Sequence, residues 1–90
     1  MYDFRLTDEL KVKIRKLIKK DKKKVEIINK KIKEIINNDS ITINRYKNLK
    51  YELKDLKRVH IDKHFVLVFN VENKNNLIRF INFDHHDNIY

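Results

Sequence analysis

The chain contains no glycine, proline or cysteine, and no alanine, glutamine or tryptophan. Average usage would place roughly six glycines and about four or five prolines in a domain of this size. Several chemistries are excluded at once. Without glycine there is no phosphate-cradling P-loop, no dinucleotide fingerprint and no G-x-S-x-G nucleophile elbow. Without cysteine there is no thiolate catalysis, no Cys-ligated zinc and no disulfide frame, so the redox compartment cannot be read. Any chemistry must come from His, Tyr, Lys, Arg, Asp, Glu, Ser, Thr and Asn. Long apolar runs are missing too. None approaches the roughly 18–20 residues of a membrane span, and Met1-Tyr2-Asp3 does not begin a signal peptide. The expectation is a soluble, cytoplasmic protein that does not engage a membrane.

What is present is positive charge. The 90 residues carry 22 Lys and Arg against 13 Asp and Glu, a formal charge of +9. Such a balance points to a polyanionic partner. A bland origin also exists, because Lys, Ile and Asn make up 41 of the 90 residues. AT-rich coding or a hot habitat produces that bias without function. The distribution separates the two. Residues 1–63 hold 20 basic against 10 acidic residues, whereas residues 64–90 hold 2 against 3. Twelve basic residues lie between Lys11 and Lys33 alone.

A chain of 90 residues makes one domain, residues 1–90, with a small core drawn from nearly every element. Residues 2–6 alternate and read as a short strand. Thr7 or Asp8 is a plausible N-cap, with Asp8 and Glu9 in the first turn. Leu10, Ile14, Leu17 and Ile18 then recur at helical spacing among lysines. Asp21 offers a second cap. A second amphipathic helix carries Val25, Ile28, Ile32, Ile35 and Ile36 and ends at Asn37-Asn38-Asp39-Ser40. Residues 41–53 have no clean period and read as loop or short irregular structure.

From Lys57 to Asp62 basic and apolar residues alternate, with Val59 and Ile61 on one face and Arg58 and His60 on the other. Phe65–Val71 is nearly continuous apolar, as a central strand should be. In Glu72-Asn73-Lys74-Asn75-Asn76, asparagine takes the left-handed positions that glycine usually fills. Leu77–Phe83 is the last strand, with no helix expected after it. The order is β-α-α-β-β-β, an α+β fold in which a helical hairpin packs on a mostly antiparallel four-stranded sheet. No repeat or linker interrupts it.

All four histidines, His60, His64, His85 and His86, lie in the last 31 residues, and Tyr90 ends the chain. A three-strand meander would bring the start of its middle strand to the end of its last, gathering these groups. Histidine is the one side chain that ordinarily titrates near neutrality, so the cluster could supply both acid and base. Three readings compete. A metal site could draw on His60, His64, Asp84, His85, His86 and Asp87. The His60-x-x-x-His64 spacing straddles a turn, however. With a two-residue turn His60 would face Phe65 and the two histidines would lie on opposite faces; a three-residue loop would change this. Structural histidines at sheet ends are the second reading. The third is metal-free acid–base catalysis beside a basic surface.

The third reading has a specific substrate chemistry. RNA carries its own nucleophile, the 2′-OH, so cleavage needs a base, an acid for the 5′-oxygen and cations for the phosphate. Each acid or base is worth roughly 10²–10⁴ in rate. No cofactor is required.

Leu49-Lys50-Tyr51-Glu52-Leu53-Lys54-Asp55-Leu56, then Arg58-Val59-His60-Ile61, Val66-Leu67-Val68-Phe69-Asn70-Val71 and His86-Asp87-Asn88-Ile89-Tyr90 together resemble the RelE/ParE toxin superfamily. The β-α-α-β-β-β order matches that fold across the whole chain. His60-Ile61-Asp62-Lys63-His64-Phe65 and the terminal segment are most similar to the YafQ branch. The resemblance implies the toxin of a type II toxin–antitoxin system: a ribosome-dependent mRNA endoribonuclease, silenced by a cognate antitoxin in a hetero-oligomer. It implies that His60 and His86 match site histidines, with His86 the general acid or base. It sets His64 at the position of an active-site aspartate and Tyr90 at that of a terminal aromatic. Arg58 matches a basic strand position facing RNA, and Lys47 stands where YafQ has another histidine. With Lys50 and Lys54, these cations would hold ribosomal and messenger RNA backbone.

Two departures shape the expectation. Val66 stands where RelE proper has the arginine that grips the scissile phosphate, so another cation is needed. His64 in place of aspartate removes an anion. These changes keep a non-catalytic ParE-like gyrase inhibitor, or a basic RNA-binding module, as the alternative. Replacing all four histidines would separate the classes.

Overall fold

The computed structural model describes residues 1–89. Its elements are β1 (Asp3–Leu6), α1 (Asp8–Lys20), α2 (Lys22–Ile36), β2 (Leu56–His60), β3 (Phe65–Glu72), β4 (Leu77–His85) and a last turn of helix, α3 (His86–Ile89). Both long helices start where the caps predict. Thr7 Oγ1 accepts the Leu10 N–H at 3.2 Å and donates to the Ile81 carbonyl at 2.6 Å, tying the start of α1 to β4. Asp21 accepts the Lys24 N–H at 3.1 Å and begins α2. Each side chain satisfies a backbone donor that the first turn would otherwise leave open.

The sheet order is β1-β4-β3-β2, with β1 parallel to β4 and the other pairs antiparallel. The helices cover one face of it. Leu10, Ile28, Ile32 and Ile35 meet Leu67, Phe69, Ile78, Phe80 and Phe83 there in one buried cluster. Such side chains each contribute roughly 1.5–3 kcal/mol relative to exposure. Along β3, Val66 and Val68 alternate with this set and are buried as well. Burial on both sides is the reason the strand reads as a continuous apolar run.

The reversal from β3 to β4 ends on Asn76, which adopts φ 52° and ψ 43°, the left-handed role expected of asparagine in a chain without glycine. Residues 42–45 and 51–53 form short 3-10 turns within the region that lacked a period.

Two expectations are corrected. β4 runs on to His85, and α3 follows it where no helix was anticipated. The cause is local. Asp84 accepts the His85 N–H at 2.7 Å and the Asn88 side-chain amide at 3.0 Å, which folds the chain back over its own carboxylate.

Candidate active site

β2 and β3 join through Asp62, Lys63 and His64. The Ile61 N–H reaches the Phe65 carbonyl at 3.0 Å, so the loop between this pair has three residues, not two. His60 accordingly stands opposite Val66 rather than Phe65. The loop is shaped by Asp62, which accepts the N–H groups of His64 at 2.9 Å and Phe65 at 3.1 Å. Lys24 of α2 lies 3.3 Å from the same carboxylate. Burial alone would raise the Asp62 pKa. The bonds from His64, Lys24 and Phe65 outweigh it and hold the group below the usual carboxylate range.

Across the sheet, Phe65 pairs with His85, so the start of β3 does meet the end of β4. The four histidines divide into two pairs. His60 and His86 lie with ring centroids 6.4 Å apart and planes tilted by 32°. His64 and His85 stack nearly parallel, 5.9 Å apart and 4° between planes. The His86 N–H bonds to the His64 carbonyl at 2.7 Å, linking the pairs through backbone. His60 and His64 are thus neighbours in sequence whose rings belong to different clusters.

The His60–His86 pair opens onto a groove of about 690 Å³, which Lys50 and Arg58 also line. Leu49, Leu53 and Ile89 provide its apolar wall, while Tyr51 and Glu52 come from the turn at 51–53. On β4, Asp84 is held below the ordinary carboxylate range, first by the Asn88 amide, then by the His85 N–H and Lys13, against the opposing effect of burial. Lys13 Nζ of α1 lies 3.4 Å from that carboxylate. Asp84 therefore anchors the turn that presents His86. His86 Nδ1 lies 3.0 Å from Asp87 Oδ1.

The other sequence candidates fall around this groove. The Lys47 carbonyl accepts the Arg58 N–H at 3.0 Å, and its side chain is exposed beside the edge of β2. Lys54 is exposed at the end of the 51–53 turn and does not line the groove. Tyr90 lies outside the described residues. Val66, at the position expected to have lost an arginine, is 0% exposed and offers nothing to a ligand. Among the described residues, no group of three or more His, Cys, Asp or Glu is arranged to hold a metal ion.

Four contributors were given no part in the acid–base reading of the sequence. Tyr51 and Glu52 carried no periodic signal, although an aromatic set between Lys50 and Glu52 in a polar loop is a recognisable cue. Asp84 shows its role only through Asn88 and Lys13. Lys57, one basic residue among many in the chain, is only 9% exposed. It donates to the Tyr46 carbonyl at 3.0 Å and Asn48 Oδ1 at 2.8 Å, and burial pulls its pKa down. It fastens the 46–48 segment, and hence the groove loop, to β2.

No protein-family model matches the chain. A protein of Methanocaldococcus jannaschii named "Putative toxin RelE4" is 50% identical over 90 residues, covering 100% of this chain and 92% of that protein. The fold is shared with YafQ from E. coli strain BL21(DE3), at a TM-score of 0.74 and 18% identity over 100% of this chain and 99% of that one. It is shared equally with a chain of the YoeB–YefM complex from Staphylococcus aureus, at a TM-score of 0.74 and 21% identity, covering 96% and 98%.

Proposed function

The chain belongs to the RelE/ParE toxin superfamily, and we propose that it is a ribosome-dependent mRNA endoribonuclease working by metal-free acid–base transesterification. The observation that carries this reading is the His60–His86 pair, set in one groove with Arg58 and Lys50. One imidazole takes the proton of the 2′-OH as its oxygen attacks phosphorus. The P–O5′ bond breaks, and the other imidazole, protonated, gives its proton to the departing 5′-oxygen. The products are a 2′,3′-cyclic phosphate and a 5′-hydroxyl. Arg58 and Lys50 supply the cationic field that Val66 cannot, stabilising charge on the crowded phosphorane. Tyr90 is proposed as a further member of the catalytic set, and His64, whose ring stacks on His85, as a residue at its margin; Lys47 and Lys54 extend the cationic margin.

The lysine-rich helices would hold ribosomal RNA through phosphates, largely without sequence readout. An mRNA endoribonuclease needs restraint in the cell, and a cognate antitoxin is the proposed partner; the same fold occurs in a YoeB–YefM complex. The site of action is then the cytoplasm.

Primer extension on a translated message tests the reading. Induction should yield cuts that vanish when translation is blocked. His86→Ala and His60→Ala should each lower cleavage by roughly 10²–10⁴ and relieve growth arrest while ribosome binding persists. Undiminished arrest in the double variant would overturn catalysis and leave a non-catalytic toxin.

A further inference from the structure

Two non-glycine residues among those described take a left-handed backbone, Asn76 at φ 52° and Tyr51 at φ 59°. Asn76 is the ordinary case, since a short polar side chain tolerates this region. Tyr51 is not. For a bulky residue the conformation is strained, and such strain persists only where the surroundings impose it. Here they do. The Leu49 N–H bonds the Leu56 carbonyl at 2.8 Å, and the Asn48 amide reaches the Lys54 carbonyl at 2.5 Å, closing the neck of the loop. Leu49 is buried.

Nothing in the fold repays this placement, because Tyr51 is 88% exposed. The chain uses asparagine for the same backbone geometry elsewhere, so a fold requirement alone would be met without an aromatic. What Tyr51 does have is a position on the groove, which it lines together with Lys50, Arg58, His60 and His86.

Resting on the RNase reading above, we infer that Tyr51 is a stacking platform for a nucleobase adjoining the scissile phosphate. Its ring face receives the base, the apolar Leu49 and Leu53 flank it, and Lys50 and Arg58 meet the adjoining scissile phosphate. Every base has a π-face, so such a platform positions a strand without choosing its sequence. The net charge of +9 favours a polyanionic occupant over a neutral one.

The test uses the full chain and a short single-stranded oligoribonucleotide, fully 2′-O-methylated so that it cannot be cut, with a matched oligomer carrying one abasic site. Wild type should bind the intact strand about tenfold or more tightly than the abasic one. Tyr51→Ala and Tyr51→Asn should abolish that preference while the abasic affinity stays unchanged; Tyr51→Phe should keep it. Tyr51→Asn should melt no lower than wild type, which separates lost stacking from lost folding. Equal binding by wild type and Tyr51→Ala overturns the platform alone, and cleavage in the primer-extension assay would then stand. Absence of RNA binding by wild type, with absence of cleavage, overturns both readings.

Discussion

Two histidine pairs sit at one end of the same sheet, and their surroundings differ. His64 and His85 stack in parallel, and His85 and Phe65 meet in a T-shaped contact with centroids 5.5 Å apart. Phe65 stacks on Phe83 of the core at 5.1 Å and carries the Lys24 ammonium at 3.8 Å from its ring centroid. That pair is the outer layer of an aromatic stack. His60 and His86 are tilted apart beside a groove that two cations share. The stacked pair turns one face of each ring toward the other, whereas the tilted pair lines the groove. Two carboxylates support the pairs: Asp62 shapes the loop of His64, and Asp84 binds the His85 N–H and shapes the turn that carries His86. The proposed reaction therefore separates the four histidines by their neighbours, since residue type alone does not.

The contrast can be broken most sharply by exchange. Alanine at His60 or His86 should cost the roughly 10²–10⁴ in cleavage given above, whereas His64→Ala should leave the rate within a few-fold of wild type. A rate loss at His64 as large as at His86 would mean that the two pairs act as one site. Next in size is Asp84→Ala. Freed from Asn88, α3 should let His86 drift, lowering single-turnover cleavage by roughly tenfold to a hundredfold with RNA affinity unchanged. Equal loss of affinity would make Asp84 a general folding residue.

Acid should act on both carboxylates. Each is held below the ordinary carboxylate value in the folded chain, so its contribution is complete above about pH 4 and disappears as pH falls through the lower folded value. Melting temperature measured downward from pH 6 should therefore decline below about pH 4, and Asp62→Asn and Asp84→Asn should each flatten that decline. The smallest effect belongs to the stacked pair. His85→Ala should cost about 1 kcal/mol, seen as a fall of several degrees in melting temperature.

Much of the architecture was readable locally. Thr7 and Asp21 announced the helix starts, because a cap involves only the few residues after it. Asn76 at the hairpin and the apolar run from Phe65 were legible for the same reason. The meeting of β3 with β4 followed from strand order. The last helical turn was not readable, since it depends on Asp84 binding Asn88 while Lys13, distant in sequence, neutralises the carboxylate. Lys57 looked like surface charge because nothing nearby in sequence reveals that Tyr46 and Asn48 fold over it.

Composition and periodicity were enough for the class of fold, for the division between a lysine-rich helical half and a near-neutral histidine-bearing sheet, and for the exclusion of glycine- and thiol-dependent chemistry. Those follow from side-chain inventory and short-range spacing. Which histidines share a site was a matter of register. A loop of three residues rather than two shifts His60 to the partner Val66, and a one-residue shift exchanges the faces of every side chain along a strand. The exposed ring of Tyr51 is of the same kind. Its left-handed backbone is imposed by hydrogen bonds across the loop neck, and such closure exists only once β2 is in place.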